Sequence, residues 1–133
     1  MKVGVVGAGH WGKNLVRNFT ELGVLAGVAD PVEENRSCAL RDAPGIEVFD
    51  NEGELLAAGY DAVAIATPAA THFEIARKAF ELGLDVFVEK PVTLDAAEAL
   101  ELHRVAEEGE RILMVGHLLL YQPAVNFIAE FLQ

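Results

Sequence analysis

The chain has 133 residues, the length of one domain, and 52% of them are hydrophobic, which is enough for a packed core. Its formal net charge of −11 argues against nucleic acid and anionic membranes as partners, because phosphate contacts need basic patches. The single cysteine, Cys38, excludes an intrachain disulfide, and no apolar run approaches the roughly 20 residues of a membrane span. These features fit a cytoplasmic protein.

Short apolar runs alternate along the chain with longer amphipathic stretches. The apolar runs predict six strands, at residues 2–6, 25–29, 46–49, 61–67, 85–88 and 112–116. Apolar spacing, caps and glycine stops predict a helix after each strand, at residues 11–22, 31–42, 51–58, 72–82, 95–108 and 123–133. The alternation with short links predicts a parallel sheet with helices on both faces, because right-handed crossovers require it.

A glycine-rich turn joins the first predicted strand to the first predicted helix. Its residues are the cofactor-binding candidates Gly7, Ala8, Gly9, His10, Trp11 and Gly12. Gly7 would make the tight turn, Gly9 would let the backbone approach a pyrophosphate, and Gly12 would let the helix pack against the strand. The free N–H groups of the helix N-terminus would hold phosphates. This G-x-G-x-x-G pattern in this context predicts a doubly wound, Rossmann-type dinucleotide-binding domain over residues 1–133.

The same loop has a simpler interpretation, a glycine turn that binds no ligand. Within it, His10 is expected to fill the loop, and the indole of Trp11 is expected to pack beneath it. The glycine pattern by itself is weak evidence for a cofactor site, and its place between a strand and a helix is the context that favours one.

Asp30 ends the second predicted strand, about 20 residues beyond the glycine loop, where an acid would bind the ribose hydroxyls of the adenosine. A carboxylate there would repel a 2′-phosphate, which favours NAD(H) over NADP(H). The alternative is that Asp30 only caps the helix that starts at Pro31, and both roles are compatible.

Thr67 and Pro68 follow the fourth predicted strand, at the edge of the sheet that faces the ligand crevice in this fold. A Thr-Pro turn would make a rigid wall near the middle of the cofactor. His72 lies at the N-terminus of the next helix, and it is either a cap or packing residue or a part of the site.

Glu89, Lys90 and Pro91 follow the fifth predicted strand, and His117 follows the sixth. Partial burial of Lys90 would lower its pKa enough for proton exchange with a substrate hydroxyl, and Pro91 would hold the turn in a cis form. The alternatives are a surface ion pair for Lys90 and a structural role for His117. Four scattered histidines and one cysteine predict no metal site.

Together these segments resemble the glucose–fructose oxidoreductase and inositol dehydrogenase (Gfo/Idh/MocA) family. The matching parts are residues 7–12, Asp30, residues 67–72, residues 89–91 and residues 115–117. The stretch 116–124 is most similar to the branch of that family that oxidises the 3-position of nucleotide-linked amino sugars or their uronic acids.

The resemblance implies an oxidoreductase that passes hydride between a sugar or sugar-nucleotide carbon and the nicotinamide ring of NAD(H). It implies that Lys90 positions or deprotonates the substrate hydroxyl and that Glu89 and Pro91 shape its turn. His117, which would face the same crevice, is the second catalytic candidate. Members of the family continue into a second, open-sheet domain that supplies substrate contacts and a partner acid or base. The chain is therefore expected to be a truncated, cofactor-binding half.

Two consequences follow for the isolated chain. It should bind cofactor with little or no turnover, because Lys90 lacks an orienting pocket. The apolar surface over residues 112–120 and 127–132 should be uncovered and should drive self-association or binding of a partner chain. The alternative to an enzyme half is a non-catalytic NAD-binding module or a subunit completed by another chain.

Overall fold

The computed structural model describes residues 1–132. Within them, six strands form one sheet: β1 (Val3–Val6), β2 (Leu25–Ala29), β3 (Glu47–Phe49), β4 (Ala62–Ile65), β5 (Asp85–Val88) and β6 (Leu113–Val115). The helices of the same part of the chain are α1 (Gly12–Glu21), α2 (Glu33–Asp42), α3 (Glu52–Leu56), α4 (His72–Glu81), α5 (Ala96–Glu108) and α6 (Pro123–Phe131).

All neighbouring strands are parallel, and their order across the sheet is β3-β2-β1-β4-β5-β6. This is the order of the doubly wound dinucleotide-binding fold, so the predicted fold class is confirmed. The order reverses between β1 and β4, and in such sheets this reversal opens a crevice at the carboxyl ends of the strands.

The two faces of the sheet carry separate cores. One core contains Val16 of α1 and Ala39 of α2, packed on Val5 and Val28. The other core is larger and contains apolar side chains of α3, α4 and α5, among them Leu55, Leu56, Ile75, Ala76, Phe80 and Leu102. Because the helices after β1 and β4 lie on opposite faces, the loops at the reversal diverge.

The element boundaries differ from those predicted by one or two residues at several ends. The fourth strand was predicted over 61–67 but stops at Ile65, because Val6 of β1 and Val88 of β5 also end their ladders at that level. The second helix begins at Glu33 rather than Pro31, since Val32 is extended. The last helix was predicted to reach Gln133, which lies outside the described residues.

Among residues 1–132, no helix is both long enough and apolar enough to cross a membrane.

Candidate functional site

A cavity of about 560 Å³ lies at the carboxyl edge of the sheet, where the strand order reverses. Gly7 and Gly9 line one side, and Thr67 and Pro68 line the other. Asp30 lies at its end beside β2. We call this space the larger cavity. It brings together three of the segments that the sequence pointed to.

The turn over residues 7–12, the glycine loop, is shaped by close backbone approaches. Gly7 has φ +88°, a conformation that side chains disfavour, and a Cβ there would lie 2.8 Å from the carbonyl oxygen of Ala66. A Cβ on Gly12 would collide with the carbonyl oxygen of Gly7. At Gly9, by contrast, the nearest atom to an added Cβ is 4.0 Å away, so its face is open to the larger cavity.

Asp30 joins the glycine loop to the end of β2. Its side chain is 6% exposed, and one carboxylate oxygen accepts a 2.8 Å hydrogen bond from the N–H of Ala8. The other oxygen accepts a 2.8 Å bond from the N–H of Val32, the residue that precedes α2. The carboxylate therefore stabilises both the loop and the start of the α2 connection, while it lines the larger cavity.

Two further carboxylates line the larger cavity, Glu52 at the start of α3 and Glu74 in the first turn of α4. Asn35, in α2, also lines it, and its Nδ2 lies beside Gly9. None of these three residues was predicted from the sequence. Their signal was their position shortly after the second, third and fourth strands, at the carboxyl edge where ligands bind in this fold.

The indole of Trp11 does not pack beneath the glycine loop, so that prediction is wrong. The side chain is 44% exposed, and its Nε1–H donates a 2.6 Å hydrogen bond to Oε1 of Glu89. The physical reason is that Glu89 is only 7% exposed, and a buried carboxylate needs a donor.

A smaller cavity of about 270 Å³ adjoins the larger one, and Ala66 and Thr67 line both. Its other lining residues are Trp11, Glu89, Lys90 and Leu118. We call it the smaller cavity. Together the two spaces form a continuous crevice from the end of β2 to the end of β5.

Lys90 lines the smaller cavity, and it is exposed. The partial burial that the sequence led us to expect for Lys90 is therefore not observed. The alternative, a surface ion pair of Lys90 with a nearby acid, is not observed among residues 1–132 either. The Lys90–Pro91 peptide bond is cis, as predicted. An exposed amine beside a cavity is accessible to a molecule that enters it.

His72 is 1% exposed and connects two turns. Its Nε2 lies 2.9 Å from the carbonyl oxygen of Thr67, and its Nδ1 lies 2.8 Å from that of Pro91. Since carbonyl oxygens only accept, a neutral ring can donate to one of them and the imidazolium to both. His72 thus holds the turn after β4 against the turn after β5 and lies behind the crevice.

The remaining histidines of the site region are exposed. His10 lies at the tip of the glycine loop, and His117 follows β6 next to Leu118. Neither is among the residues that line the two cavities within 1–132. In the same part of the chain, no three His, Cys, Asp or Glu side chains cluster as a metal site would require.

The chain is similar to known dehydrogenases over nearly its whole length. It is 35% identical over 130 residues to UDP-N-acetylglucosamine 3-dehydrogenase of Acidithiobacillus ferrooxidans, a match that covers 98% of this chain and 41% of that protein. It is 29% identical over 138 residues to inositol 2-dehydrogenase of Corynebacterium glutamicum, covering 100% of this chain and again 41% of the relative. The chain thus spans about 41% of the length of these relatives.

Solved structures give the same picture. The structure of the Acidithiobacillus ferrooxidans dehydrogenase matches with a TM-score of 0.89 and 35% identity, over 98% of this chain and 41% of that one. Myo-inositol 2-dehydrogenase of Lactobacillus plantarum matches with a TM-score of 0.91 over 99% of this chain and 40% of that one; at 23% identity it shows the fold alone. A family model described as an oxidoreductase family with a NAD-binding Rossmann fold matches residues 1–117. The chain therefore belongs to the Gfo/Idh/MocA oxidoreductase family and carries its NAD-binding Rossmann fold.

Proposed function

We propose that residues 1–133 are the dinucleotide-binding domain of an oxidoreductase that moves hydride between NAD(H) and a sugar or sugar-nucleotide hydroxyl carbon. The observation that carries this proposal is the bond between Asp30 and the glycine loop beside the larger cavity. Family membership supports the cofactor class. The sugar class rests on the names of relatives that act on UDP-N-acetylglucosamine and inositol.

The pyrophosphate would lie over Gly9, whose open face leaves room for it, and against the N-terminus of α1. His10 and Trp11 flank that position in the loop. The adenosine ribose would lie beside Asp30, and the Thr67–Pro68 turn would contact the middle of the cofactor. Because the protein is acidic overall, local N–H groups and the helix dipole must hold the phosphates.

NAD(H) is favoured over NADP(H) by the charge around the larger cavity. Asp30, Glu52 and Glu74 line it, and within residues 1–132 its lining contains no lysine, arginine or histidine. Arg36 donates to the backbone carbonyl of Asp30 and does not line the cavity. A 2′-phosphate beside Asp30 would therefore meet the negative charge of the lining carboxylates, while the Arg36 guanidinium is held at the carbonyl of Asp30.

In the complete enzyme, Lys90 would contact the substrate hydroxyl at the smaller cavity, orient it and, as the neutral amine, accept its proton at Nζ. The bound nicotinamide supplies the hydride acceptor. His117, exposed at the end of β6, would face the substrate from the same edge of the sheet. The chain alone should turn over no sugar, since a second set of substrate contacts is needed to hold the hydroxyl in line.

A second proposal concerns the C-terminal apolar face. Exposed apolar side chains crowd the end of the chain: Leu118, Leu119, Leu120, Tyr121, Val125, Phe127, Ile128, Phe131 and Leu132. A contiguous apolar surface of this kind normally contacts another protein surface. We expect self-association of the 133-residue chain through this face, and a partner chain covering it would favour the non-catalytic subunit as the alternative function.

Amide NMR of the labelled chain tests the cofactor site directly. Adding NAD⁺ should shift the N–H signals of Ala8, Gly9 and Val32, which lie in the glycine loop and beside Asp30. Signals at the opposite edge of the sheet, such as Gly23 and Gly83, serve as internal controls and should stay in place. Uniformly small shifts, or shifts centred elsewhere, would contradict the proposed site.

A further inference from the structure

The bond between Trp11 and Glu89 connects two segments that lie 78 residues apart in the chain. Trp11 belongs to the glycine loop, and Glu89 is the first residue of the turn that carries Lys90. At 2.6 Å, the contact is short for an N–H···O hydrogen bond, as bonds to a carboxylate acceptor tend to be. The hydrogen bond connects the end of β5 with the part of the glycine loop that precedes α1.

Glu89 is enclosed from the other side by β6. The N–H of Gly116 bonds the carbonyl oxygen of Val88 at 2.8 Å, which draws the end of β6 against the turn. A Cβ on Gly116 would lie 3.0 Å from Oε2 of Glu89 and 3.2 Å from its carboxyl carbon. The carboxylate therefore occupies a narrow space between the glycine loop and the end of β6, with little freedom to reorient.

Both side chains line the smaller cavity, and Lys90 lines it as well. The indole, half exposed, forms one side of this space, and its one polar atom is bound to Glu89. If the adenosine half of the cofactor occupies the larger cavity, the adjoining smaller cavity is the space left for the nicotinamide half.

We propose that Glu89 is a positioning residue: by holding the Trp11 indole in place, it shapes the smaller cavity so that a nicotinamide ring bound there faces Lys90. The inference rests on the proposed function and goes beyond it. It assigns the nicotinamide half of the cofactor a protein contact of its own, distinct from the contacts that bind the phosphates. Loss of the bond should therefore weaken binding of the whole dinucleotide more than binding of its adenosine diphosphate ribose part.

The test compares the dissociation constants of NADH and ADP-ribose, measured by calorimetry on the 133-residue chain and its variants. In Glu89→Ala, NADH binding should weaken about tenfold while ADP-ribose binding changes less than about threefold, the effect of losing one charge-assisted bond. Glu89→Gln should restore NADH binding, because its amide oxygen accepts the same indole N–H. Trp11→Phe, which keeps a ring but has no donor, should behave like Glu89→Ala. Glu101→Ala, an exposed glutamate on α5, is the matched control.

Trp11 is the only tryptophan, so its fluorescence gives an independent readout. Its emission should shift to longer wavelength in Glu89→Ala and stay near that of the unaltered chain in Glu89→Gln. If Glu89→Ala fails to fold, Trp11→Phe still tests the same bond, because it changes a half-exposed side chain.

The outcomes separate the two proposals. If the unaltered chain binds ADP-ribose and NADH, but Glu89→Ala weakens both equally or neither, the positioning role is overturned and the proposed function stands. An unaltered chain that binds neither ligand overturns both.

Discussion

The carboxylate of Asp30 accepts a 2.8 Å hydrogen bond from the backbone N–H of Ala8, in the middle of the glycine loop. Its other oxygen accepts from Val32, so one buried side chain organises both the loop and the approach to α2. The same carboxylate lines the larger cavity beside two glutamates. Asp30 can therefore shape the site and select its ligand by charge.

Asp30→Asn should lower the affinity for NADH by about tenfold or more, because an amide cannot accept from both N–H groups and binds ribose hydroxyls less strongly. The affinity for NADPH should fall less or should rise, since the charge next to its 2′-phosphate is removed. Calorimetry with both nucleotides measures the change in their ratio. Asp42→Asn, an exposed aspartate at the end of α2, should leave the ratio unchanged. An unaltered ratio in Asp30→Asn would contradict the assigned role.

Gly9→Ala and Gly12→Ala should separate binding from stability. An alanine at position 9 has space, so the unfolding temperature should hold while NADH binding falls, because the methyl group occupies the place of the pyrophosphate. An alanine at position 12 collides with the carbonyl of Gly7 and should destabilise the fold by about 1–3 kcal/mol as well. Thermal unfolding by circular dichroism and NADH titration together test this. A Gly9→Ala chain that binds normally would count against the phosphate site.

The C-terminal apolar face should determine the oligomeric state. Phe127→Glu combined with Phe131→Glu places two charges among side chains that are 68% and 80% exposed, and self-association should be lost. Sedimentation velocity over a concentration series measures this. Leu100→Glu, on α5 and 70% exposed, is a control of the same chemistry away from the face. If the unaltered chain is a monomer at all concentrations, the self-association proposal fails.

Tyr60 should make the fold sensitive to high pH. Burial, then the hydrogen bond to Glu47 and its charge, raise the pKa of the phenol above its ordinary value. Above about pH 10 the unfolded chain releases this proton while the folded chain retains it, so unfolding becomes more favourable as the pH rises. Urea unfolding near pH 7 and near pH 10.5 measures the free energy of unfolding at each pH. This free energy should fall more between the two pH values for the unaltered chain than for Tyr60→Phe. Equal losses would contradict this assignment.

The alternation of strands and helices was predictable because it follows from local features. Glycine stops, caps and short links indicated where each strand and helix ends. The right-handedness of the crossover connections then leaves few possible parallel arrangements. Helix starts were less accurate, as at Pro31, because the extended conformation of Val32 depends on its bond to Asp30, a contact that propensity does not encode.

In the site, the residues at strand ends were predictable because parallel strands present their carboxyl ends at one edge. The partners of Trp11 and His72 were not. Trp11 was assigned to packing on its apolar character, yet its polar atom is bound to Glu89, 78 residues away. His72 was left open between a structural and a functional role, and its contact with Pro91 spans 19 residues. Such pairings depend on how the turns meet in space.

The most direct test of the cofactor site is a calorimetric titration of the purified 133-residue chain with NADH and, separately, with NADPH. We expect saturable binding of NADH at one site per chain, with NADPH bound at least about tenfold more weakly because of the acidic lining around Asp30. Preference for NADPH would contradict the role of Asp30. Absence of binding for both nucleotides would contradict the cofactor site itself.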